Sequence, residues 1–221
     1  MHKRFAPFLA LLAFLPGCAP EGTGDAEVQW SVGLTGSCSQ ASLASVAARL
    51  ETLDGTLVAR QDARCDALAV RFRDIPVGSY RVRLAGFDDD AVEAYTATIS
   101  DLSIHEGLEP ASYLARLAPR PGAIDLLWYF RSGRLCSAYG VEQVLVSLYS
   151  SDFEITTAAF RCDRGSATLE DLLPGPYDVR VDGLNAHGVP THSFVVAGLK
   201  LRPGHLLALD AELVECQGGC L

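Results

Sequence analysis

Positive charge is scarce in this sequence. The 221 residues include 18 lysines and arginines against 27 acidic residues, which gives a net charge of −9, and lysine occurs only at positions 3 and 200. Proteins that bind nucleic acids need a basic surface to neutralise phosphates, so the composition argues against nucleic acid as a partner. The Gly-x-Ser-x-Gly, His-Glu-x-x-His and phosphate-loop motifs are also lacking. We therefore expect neither an enzyme nor a bound cofactor or metal.

Long hydrophobic runs are lacking too, since the apolar segment 5–15 is too short to cross a bilayer. It follows a basic start, and this pattern predicts a secretory signal peptide over 1–17. The sequence at its end, "LPGC" at positions 15–18, resembles the lipobox of bacterial lipoproteins. In such proteins the peptide is cut before the cysteine, which then receives lipid.

The lipobox resemblance implies a location. Cys18 would carry the lipid, and Ala19 after it resembles lipoproteins that are sorted to the outer membrane. Residues 18–27 would form a flexible tether. The expected setting is the outer membrane or cell surface of a Gram-negative bacterium, with the membrane as a partner through the lipid anchor. The alternative is ordinary signal cleavage near Ala19, in which Cys18 is discarded.

A repeat of just under one hundred residues runs through the rest of the chain. The segment "ARCDALAVRFRDIPVGSYRVRLAGF" at 63–87 matches "FRCDRGSATLEDLLPGPYDVRVDGL" at 160–184. The other shared positions keep their order and include Trp30 with Trp128 and Cys38 with Cys136. A period of this length fits a whole immunoglobulin-sized domain. The sequence therefore predicts two homologous domains, at 28–118 and 119–215, and a cysteine-containing tail at 216–221.

The cysteines are few and even in number once Cys18 is set aside. Six cysteines allow fifteen pairings in principle, and an even number suits an oxidising compartment. The repeat selects one set of pairs, which is Cys38–Cys65, Cys136–Cys162 and, by remainder, Cys216–Cys220. A metal site is the competing interpretation, but Cys-x-x-Cys pairs and neighbouring histidines are missing. We expect structural disulfides.

Short alternating patterns predict β-strands in both repeats. Apolar residues occupy every second position in "AVRFRD" at 69–74 and in "YRVRLAG" at 80–86. The other predicted strands are at 28–34, 46–53, 56–61, 93–99 and 111–117, with counterparts near 126–131, 143–150, 154–161, 191–197 and 206–214. The segment 39–50 also fits a helix, but its β-branched counterpart favours a strand. Six or seven short strands per repeat predict an all-β fold of two tandem immunoglobulin-like or prealbumin-like antiparallel β-sandwiches.

Two motifs carry a resemblance to known folds. Asp-x-x-x-Gly-x-Tyr before each alternating run, ending at Tyr80 and Tyr177, resembles a tyrosine corner. The segment "LLPGPYDVRVDGL" at 172–184 resembles the Pro-Gly-x-Tyr-x-Val-x-Val signature of carboxypeptidase-regulatory-like sandwiches, and Val77 replaces the proline in the first repeat. The resemblance implies a sandwich fold and a setting in bacterial cell-surface lipoproteins. Most members of that family have no assigned activity.

Few residues are candidates for ligand chemistry. Trp30 and Trp128 could stack on sugars, but equivalent positions beside a strand favour core packing. His187 and His192 could hold a metal, but without a third ligand we expect exposed loop histidines. Three aspartates at 88–90 with Glu93 could bind calcium, but their spacing favours a solvated turn.

Four arginines distinguish the first repeat from the second. Arg71, Arg73, Arg81 and Arg83 occupy outward positions of two alternating strands. Their counterparts are Thr168, Glu170, Asp178 and Arg180, while the inward positions stay apolar in both repeats. The arginines are either a solvated face or a stripe that docks an anionic partner, such as another envelope protein or an acidic polysaccharide.

These observations predict a lipid-anchored envelope protein of structural or binding type. The alternative is a carbohydrate-binding module for envelope or environmental polysaccharide. A hydrolase is the third interpretation and would need convergent polar residues in one cleft.

Overall fold

The computed structural model of the protein describes residues 22–33, 36–107, 109–133, 135–217 and 219–220. The predicted signal peptide and Cys18 lie outside the described residues. Strands make up 68% of the described residues, and helical structure there is limited to three short 3₁₀ segments. Within the described ranges, no helix is long and apolar enough to cross a membrane.

Seven strands form the first repeat: β1 Thr23–Val32, β2 Leu43–Thr52, β3 Leu57–Arg64, β4 Ala69–Pro76, β5 Gly78–Asp88, β6 Glu93–Ile104 and β7 Ala111–Pro119. Their order in the sheet is β3-β2-β5-β6-β7-β1-β4. Only two residue pairs, Tyr95 with Pro119 and Thr96 with Ala118, join β6 to β7. The sheet therefore divides into two layers, β3-β2-β5-β6 and β7-β1-β4, which share one buried core.

The second repeat has the same layout in eight strands: β8 Gly122–Tyr129, β9 Gln143–Ser150, β10 Phe153–Arg161, β11 Ser166–Leu172, β12 Gly175–Leu184, β13 Pro190–Leu201, β14 Leu206–Glu212 and β15 Val214–Glu215. One sheet has the order β10-β9-β12-β13-β15, and the other has the order β11-β8-β14. Strands β14 and β15 together correspond to β7. The end of β7 pairs with Tyr95 of β6, and β15 pairs with His192, the equivalent residue of β13.

The alternating patterns place apolar side chains between the layers, as the sequence predicted. Along β5, Tyr80, Val82 and Leu84 are buried and the intervening arginines are not. One hydrophobic cluster is drawn from residues 26–117 and a second from residues 124–213. All of the predicted strands are present. The segment that also fitted a helix is strand β2, which pairs with both β3 and β5.

One expectation about a strand end was wrong, and one strand pair in each repeat departs from the expected antiparallel arrangement. The tether predicted over 18–27 ends earlier, because β1 begins at Thr23 and Ala26 is fully buried. The described strand pairs are antiparallel, as expected, except that β1 runs parallel to β7 over Ala26–Val32 and β8 runs parallel to β14. These are the first and last long strands of each repeat.

Glycine is required where the first strand of each repeat passes a loop. A Cβ atom on Gly24 would lie 2.1 Å from the carbonyl oxygen of His105, and one on Gly122 would lie 2.7 Å from that of His205. Both distances are shorter than any carbon–oxygen contact allows. The same close approach in both repeats shows that the two strands leave their loops along equivalent paths.

The tyrosine corners are present in both repeats. The Tyr80 hydroxyl donates to the carbonyl oxygen of Pro76 at 2.7 Å, and the Tyr177 hydroxyl donates to that of Leu173 at 2.6 Å. Burial raises the pKa of both phenols. Each tyrosine therefore ties the turn that crosses between layers to the strand that follows it.

Candidate functional site

Both tryptophans belong to the core beside a disulfide. Trp30 and Trp128 are 3% and 4% exposed, so neither can stack on a sugar. The Trp30 indole N–H donates to the carbonyl oxygen of Cys65, and the Trp128 indole donates to that of Cys162. Core packing, the interpretation that the sequence favoured, is confirmed.

Three disulfides are present among the described residues. Cys38 is bonded to Cys65 with 5.8 Å between their Cα atoms, Cys136 to Cys162 with 6.0 Å, and Cys216 to Cys220 with 5.2 Å. In the first two, the second cysteine is buried and begins a 3₁₀ turn under the tryptophan. These bridges close equivalent ends of the two repeats.

The four arginines do not form the single stripe that the sequence predicted. In the part of the chain that the structure describes, strand β4, with Arg71 and Arg73, pairs with β1 alone, whereas β5, with Arg81 and Arg83, pairs with β2 and β6 in the other layer. Because both layers face the same core, their outward arginines lie on opposite sides of the sandwich. The expectation was wrong because the turn at Val77 carries the chain from one layer to the other.

Two of these arginines already have carboxylate partners. Arg71 donates to Asp25 through Nη2 at 2.8 Å, and Arg83 lies 3.2 Å from Glu51. Hydrogen bonds from the Asp74 backbone and then from Arg71 hold the pKa of Asp25 below its ordinary value. Anionic groups of the chain itself therefore balance part of this positive charge.

The acidic turn after β5 lies at a junction between the repeats. The interpretation of 88–90 as a solvated turn was wrong for Asp88, which is 5% exposed. Oδ2 of Asp88 accepts a hydrogen bond from Arg202 Nη2 and lies 2.6 Å from His205 Nε2. The Asp90 carboxylate accepts a hydrogen bond from the other terminal nitrogen of Arg202, Nη1, at 2.7 Å. Two aspartates of the first repeat thus meet a guanidinium and an imidazole of the second.

The Asp88 carboxylate is held ionised by these contacts. Burial alone would raise its pKa, but hydrogen bonds from His205 and from the backbone N–H groups of Val92 and Asp90 outweigh that effect. The net result is a pKa below the ordinary value. Oxygen and nitrogen atoms of Asp88, Asp90 and His205 lie within 4.8 Å of one another, which is close enough for a metal. Since Arg202 already supplies positive charge to both carboxylates, the cluster is balanced as an ion-pair network.

Backbone contacts reinforce the junction. The Arg120 N–H donates to Ala94 at 2.8 Å, and the Gly204 N–H donates to Arg120 at 3.1 Å. A Cβ atom on Gly204 would lie 2.4 Å from the carbonyl oxygen of Glu93, so only glycine fits there. An apolar cavity of about 440 Å³ lies alongside, where Tyr95 and Pro119 face Pro174 and Pro203.

Sequence reasoning missed Arg202 and His205 altogether. Neither belongs to a motif. They contact Asp88 only because the loop between β13 and β14 lies against the turn between β5 and β6. The repeat offers no signal either, because the turn that corresponds to Asp88 begins with Asn185. That asparagine makes the same backbone contacts, to His187 and Val189, without an ion pair.

The two histidines of the second repeat have different surroundings. His187 is exposed, as predicted, but His192 is 5% exposed, so the expectation of an exposed loop residue was wrong for it. Its ring meets Phe130 and Tyr139 edge-on, with centroids 5.2 and 5.4 Å away. Burial lowers the pKa of His192, and the charge of Glu215 partly opposes that shift. The position was recognisable from the repeat, since its counterpart is the buried Tyr95.

A cleft of about 680 Å³ lies at the far end of the second repeat. Its walls include Tyr129, Phe130, Leu135, Val141 and Arg161, next to the Cys136–Cys162 disulfide. Leu135 and Tyr129 are 79% and 41% exposed, so apolar and aromatic surface is open to a partner. A neighbouring hollow of about 360 Å³ is lined by His192 and Val214.

This cleft and the start of the described chain lie at opposite ends of the molecule. Gly22 accepts a hydrogen bond from Val77 just before β5, and β5 then runs to Asp88 at the junction. Strand β12 likewise starts next to Pro174 at the junction and ends at Leu184, which accepts a hydrogen bond from Glu142 in the cleft wall. The repeats are therefore arranged end to end.

Comparisons with known proteins identify no family. The chain matches no protein-family profile and no curated protein. The Bacillus anthracis TIE protein aligns over 88% of this chain with 14% identity and a TM-score of 0.35, and this chain spans 35% of its length. A candidate adhesin from Bacteroides ovatus aligns over 89% of this chain and 90% of its own, with 13% identity and a TM-score of 0.40.

A fimbrial assembly protein from Parabacteroides distasonis aligns over 85% of this chain and 90% of its own, with 9% identity and a TM-score of 0.40. TM-scores at this level assign neither a family nor a ligand.

Proposed function

We propose that the protein is a non-catalytic, lipid-anchored envelope protein that presents the cleft of its second repeat away from the membrane. In this proposal Cys18 carries the lipid, and residues 28–118 and 119–215 are two domains of a short rod. The first domain acts as a spacer and the second as the binding end. The location is the outer membrane or the cell surface.

The observation that carries this proposal is the end-to-end arrangement across the Asp88–Arg202 junction. The proposed acylation site precedes Gly22 by four residues in the sequence, and Gly22 lies at the end of the first repeat that is remote from the junction. The cleft of about 680 Å³ lies at the end of the second repeat that is remote from the junction. A partner in the medium or in the envelope would therefore reach the cleft without hindrance from the bilayer.

The buried polar groups support a role without catalysis. Four polar or charged side chains are buried among the described residues: Asp88, Ser147, Asp182 and His192. Asp88 is paired with Arg202, Asp182 with Arg180, Ser147 with Thr157, and His192 with Thr191. Asp88 and Ser147 contact another loop or strand, whereas Asp182 and His192 contact neighbours on their own strands, and Oδ1 of Asp182 has no hydrogen-bond partner among the described residues.

Anchoring and cleft binding can be tested in the same cells. Metabolic labelling with a palmitate analogue should mark the wild-type protein, and Cys18→Ser should abolish both the label and partition into detergent. Labelling that persists in the variant would refute the lipid anchor. For the cleft, Leu135→Asp should reduce retention of envelope partners, and the exposed Leu114→Asp in the first repeat is the matched control. Equal retention in the two variants would refute the cleft as the binding end.

A polysaccharide is the second candidate for the cleft, and one observation favours it. Tyr129 stands exposed at the cleft beside Glu142, Arg161 and Asp163, so a ring and hydrogen-bonding groups lie together as sugar binding requires. Glycan-array binding that Tyr129→Ala abolishes would support this candidate. Binding that is indifferent to Tyr129→Ala would exclude stacking at this position.

A further inference from the structure

Among the described residues, the outer strands of the equivalent sheets, β3 and β10, each have a hydrogen-bonded neighbour on one side only. The other side of such a strand presents backbone N–H and C=O groups that can pair with a strand from another chain. Natural proteins often block this pairing with charged side chains on the edge. The two repeats can therefore be compared position by position.

Strand β3 is protected and β10 is not. Arg60 and Asp62, 2.9 Å apart, stand at the centre of β3, and β3 also packs against β4 of the facing layer. From the pairing of each edge strand with its neighbour, the equivalent positions of β10 are Thr157 and Ala159. Residues 155–160 of β10 carry no charge, and β10 has no packing of similar extent against β11.

The two charges of β10 lie at its ends, and a bulge puts them on the same face. Glu154 and Thr156 are opposite consecutive residues of β9, so Ile155 is the extra residue of a β-bulge. Because side chains alternate along a strand, the bulge brings Glu154 onto the exposed face that also carries Thr157, Ala159 and Arg161.

We propose that β10 is a self-association edge, to which a second copy of this chain adds its own β10 in antiparallel orientation. A two-fold axis through Ala158 places Thr157 opposite Ala159 and Glu154 opposite Arg161. The dimer then has small side chains at its centre and an ion pair at each end, and it closes by symmetry. The two five-stranded sheets become one continuous sheet.

Charge complementarity at the two ends of the strand distinguishes this edge from β3. The corresponding axis in β3 passes through Gln61. It places Arg60 opposite Asp62, which already pair with each other within the strand, and, because of the bulge at Val58, it leaves Arg64 opposite the apolar Leu57. In β10, Arg161 is paired with Asp163, but both side chains are largely exposed, so the pair is weak and Arg161 can take a second carboxylate.

The antiparallel pairing also fixes how the copies are oriented. The long axes of the two molecules point in opposite directions, so their Gly22 ends lie at opposite ends of the dimer along the strand direction. If Cys18 is acylated, as the proposed function requires, the two copies are anchored in two facing membranes. The self-association surface itself does not depend on the anchor.

Cross-linking tests the surface and its register. In the secreted full-length chain with Cys18→Ser, Ala158→Cys should give a disulfide-linked dimer under mild oxidation, because the axis makes position 158 its own neighbour. The matched control in the first repeat, Gln61→Cys, should remain monomeric. Dimers from Gln61→Cys, or none from Ala158→Cys, would overturn the proposal.

Charge variants test the energetics by sedimentation equilibrium. Thr157→Asp with Ala159→Asp places like charges across the axis and should raise the dimer dissociation constant at least tenfold. The control Arg60→Asp creates the same pair of aspartates in β3 and should leave the constant unchanged. Glu154→Arg and Arg161→Glu should each weaken the dimer, and their combination should restore it. Three results would each refute the proposal. The first is a dimer whose dissociation constant does not change with the β10 aspartates. The others are a double charge reversal that does not restore the dimer and a wild-type chain that stays monomeric at millimolar concentration.

Discussion

Asp88 and Arg202 are 114 residues apart in the chain, and their side chains meet at 2.6 Å between Oδ2 and Nη2. The Asp88 side chain is almost fully buried, while the Arg202 side chain is 47% exposed. This contact joins the two repeats, together with the backbone hydrogen bonds of Arg120 and Gly204.

Asp88→Asn should uncouple the two repeats. It removes the charge that Arg202 and His205 contact and should lower the coupling free energy between the repeats by about 2 kcal/mol, the usual size for a hydrogen bond to a charged group. Calorimetry should then show two separate transitions in place of one broad transition. The exposed neighbour Asp89→Asn is the control. Identical traces for the two variants would show that the ion pair does not couple the repeats.

The same carboxylate predicts how the junction responds to acid. Because the folded-state pKa of Asp88 lies below the unfolded value, its contribution is present above about pH 4 and is lost as the pH falls through the folded-state pKa. Small-angle scattering should report an extended, rigid shape at pH 5 and a wider spread of shapes at pH 3. The Asp88→Asn variant should show the wider spread at both pH values.

His192 should make the second repeat sensitive to mild acid. Its folded-state pKa is lowered by burial, so the unfolded state binds the proton more readily, and stability is lost as the pH falls below about 6.5 towards the lowered value. Thermal unfolding of the second repeat should therefore shift downward between pH 7 and pH 5. His192→Tyr, which introduces the residue of the first repeat, should remove this pH dependence. A shift that persists in His192→Tyr would assign it to another group.

Each tyrosine corner should stabilise its own repeat. Tyr80→Phe and Tyr177→Phe each delete one buried hydrogen bond to a backbone carbonyl and should lower the unfolding free energy by about 1–2 kcal/mol. Denaturant titration with probes in each repeat measures the effect. The exposed Tyr129→Phe is the control and should change the unfolding free energy by less than about 0.5 kcal/mol.

The disulfides should act locally if the repeats are separate domains. Replacing Cys136 and Cys162 by alanine opens a loop with a sequence separation of 26 and should cost the second repeat about 3.5 kcal/mol. The first repeat should be unaffected, and removal of Cys38 and Cys65 should give the reverse pattern. Non-reducing peptide mapping checks the pairing. A loss of stability in both repeats from either pair would contradict the division into two domains.

The core was predictable because it depends on local alternation. Tyr80, Val82 and Leu84 occupy every second position, and a strand with that pattern has only one way to bury them. Comparison with the matching pattern in the second repeat then allowed the remaining strands of each sandwich to be predicted. Trp30 was recognisable as a core residue because its counterpart Trp128 keeps the same place relative to a cysteine.

The junction was not predictable, because it depends on which loops meet in space. The turn that contains Asp88 is polar and resembles any solvated turn, and its burial comes from Arg202 and His205 of the other repeat. The prediction that the four arginines form one stripe was wrong for a related reason. Consecutive strands in a sandwich can belong to opposite layers, and alternation along β4 and β5 carries no information about that change.

The parallel pairing of the first and last strands of each repeat has a mechanical consequence. Tension applied between the two ends of the molecule pulls β1 and β7 in opposite directions along their common axis. Seven consecutive positions, Ala26–Val32 against Ala111–Leu117, carry that load together, and β8 with β14 does the same in the second repeat. Hydrogen bonds loaded in shear must break as a group, whereas those of a peeled hairpin break one at a time. Each repeat should therefore resist unfolding when tension is applied between its first and last long strands.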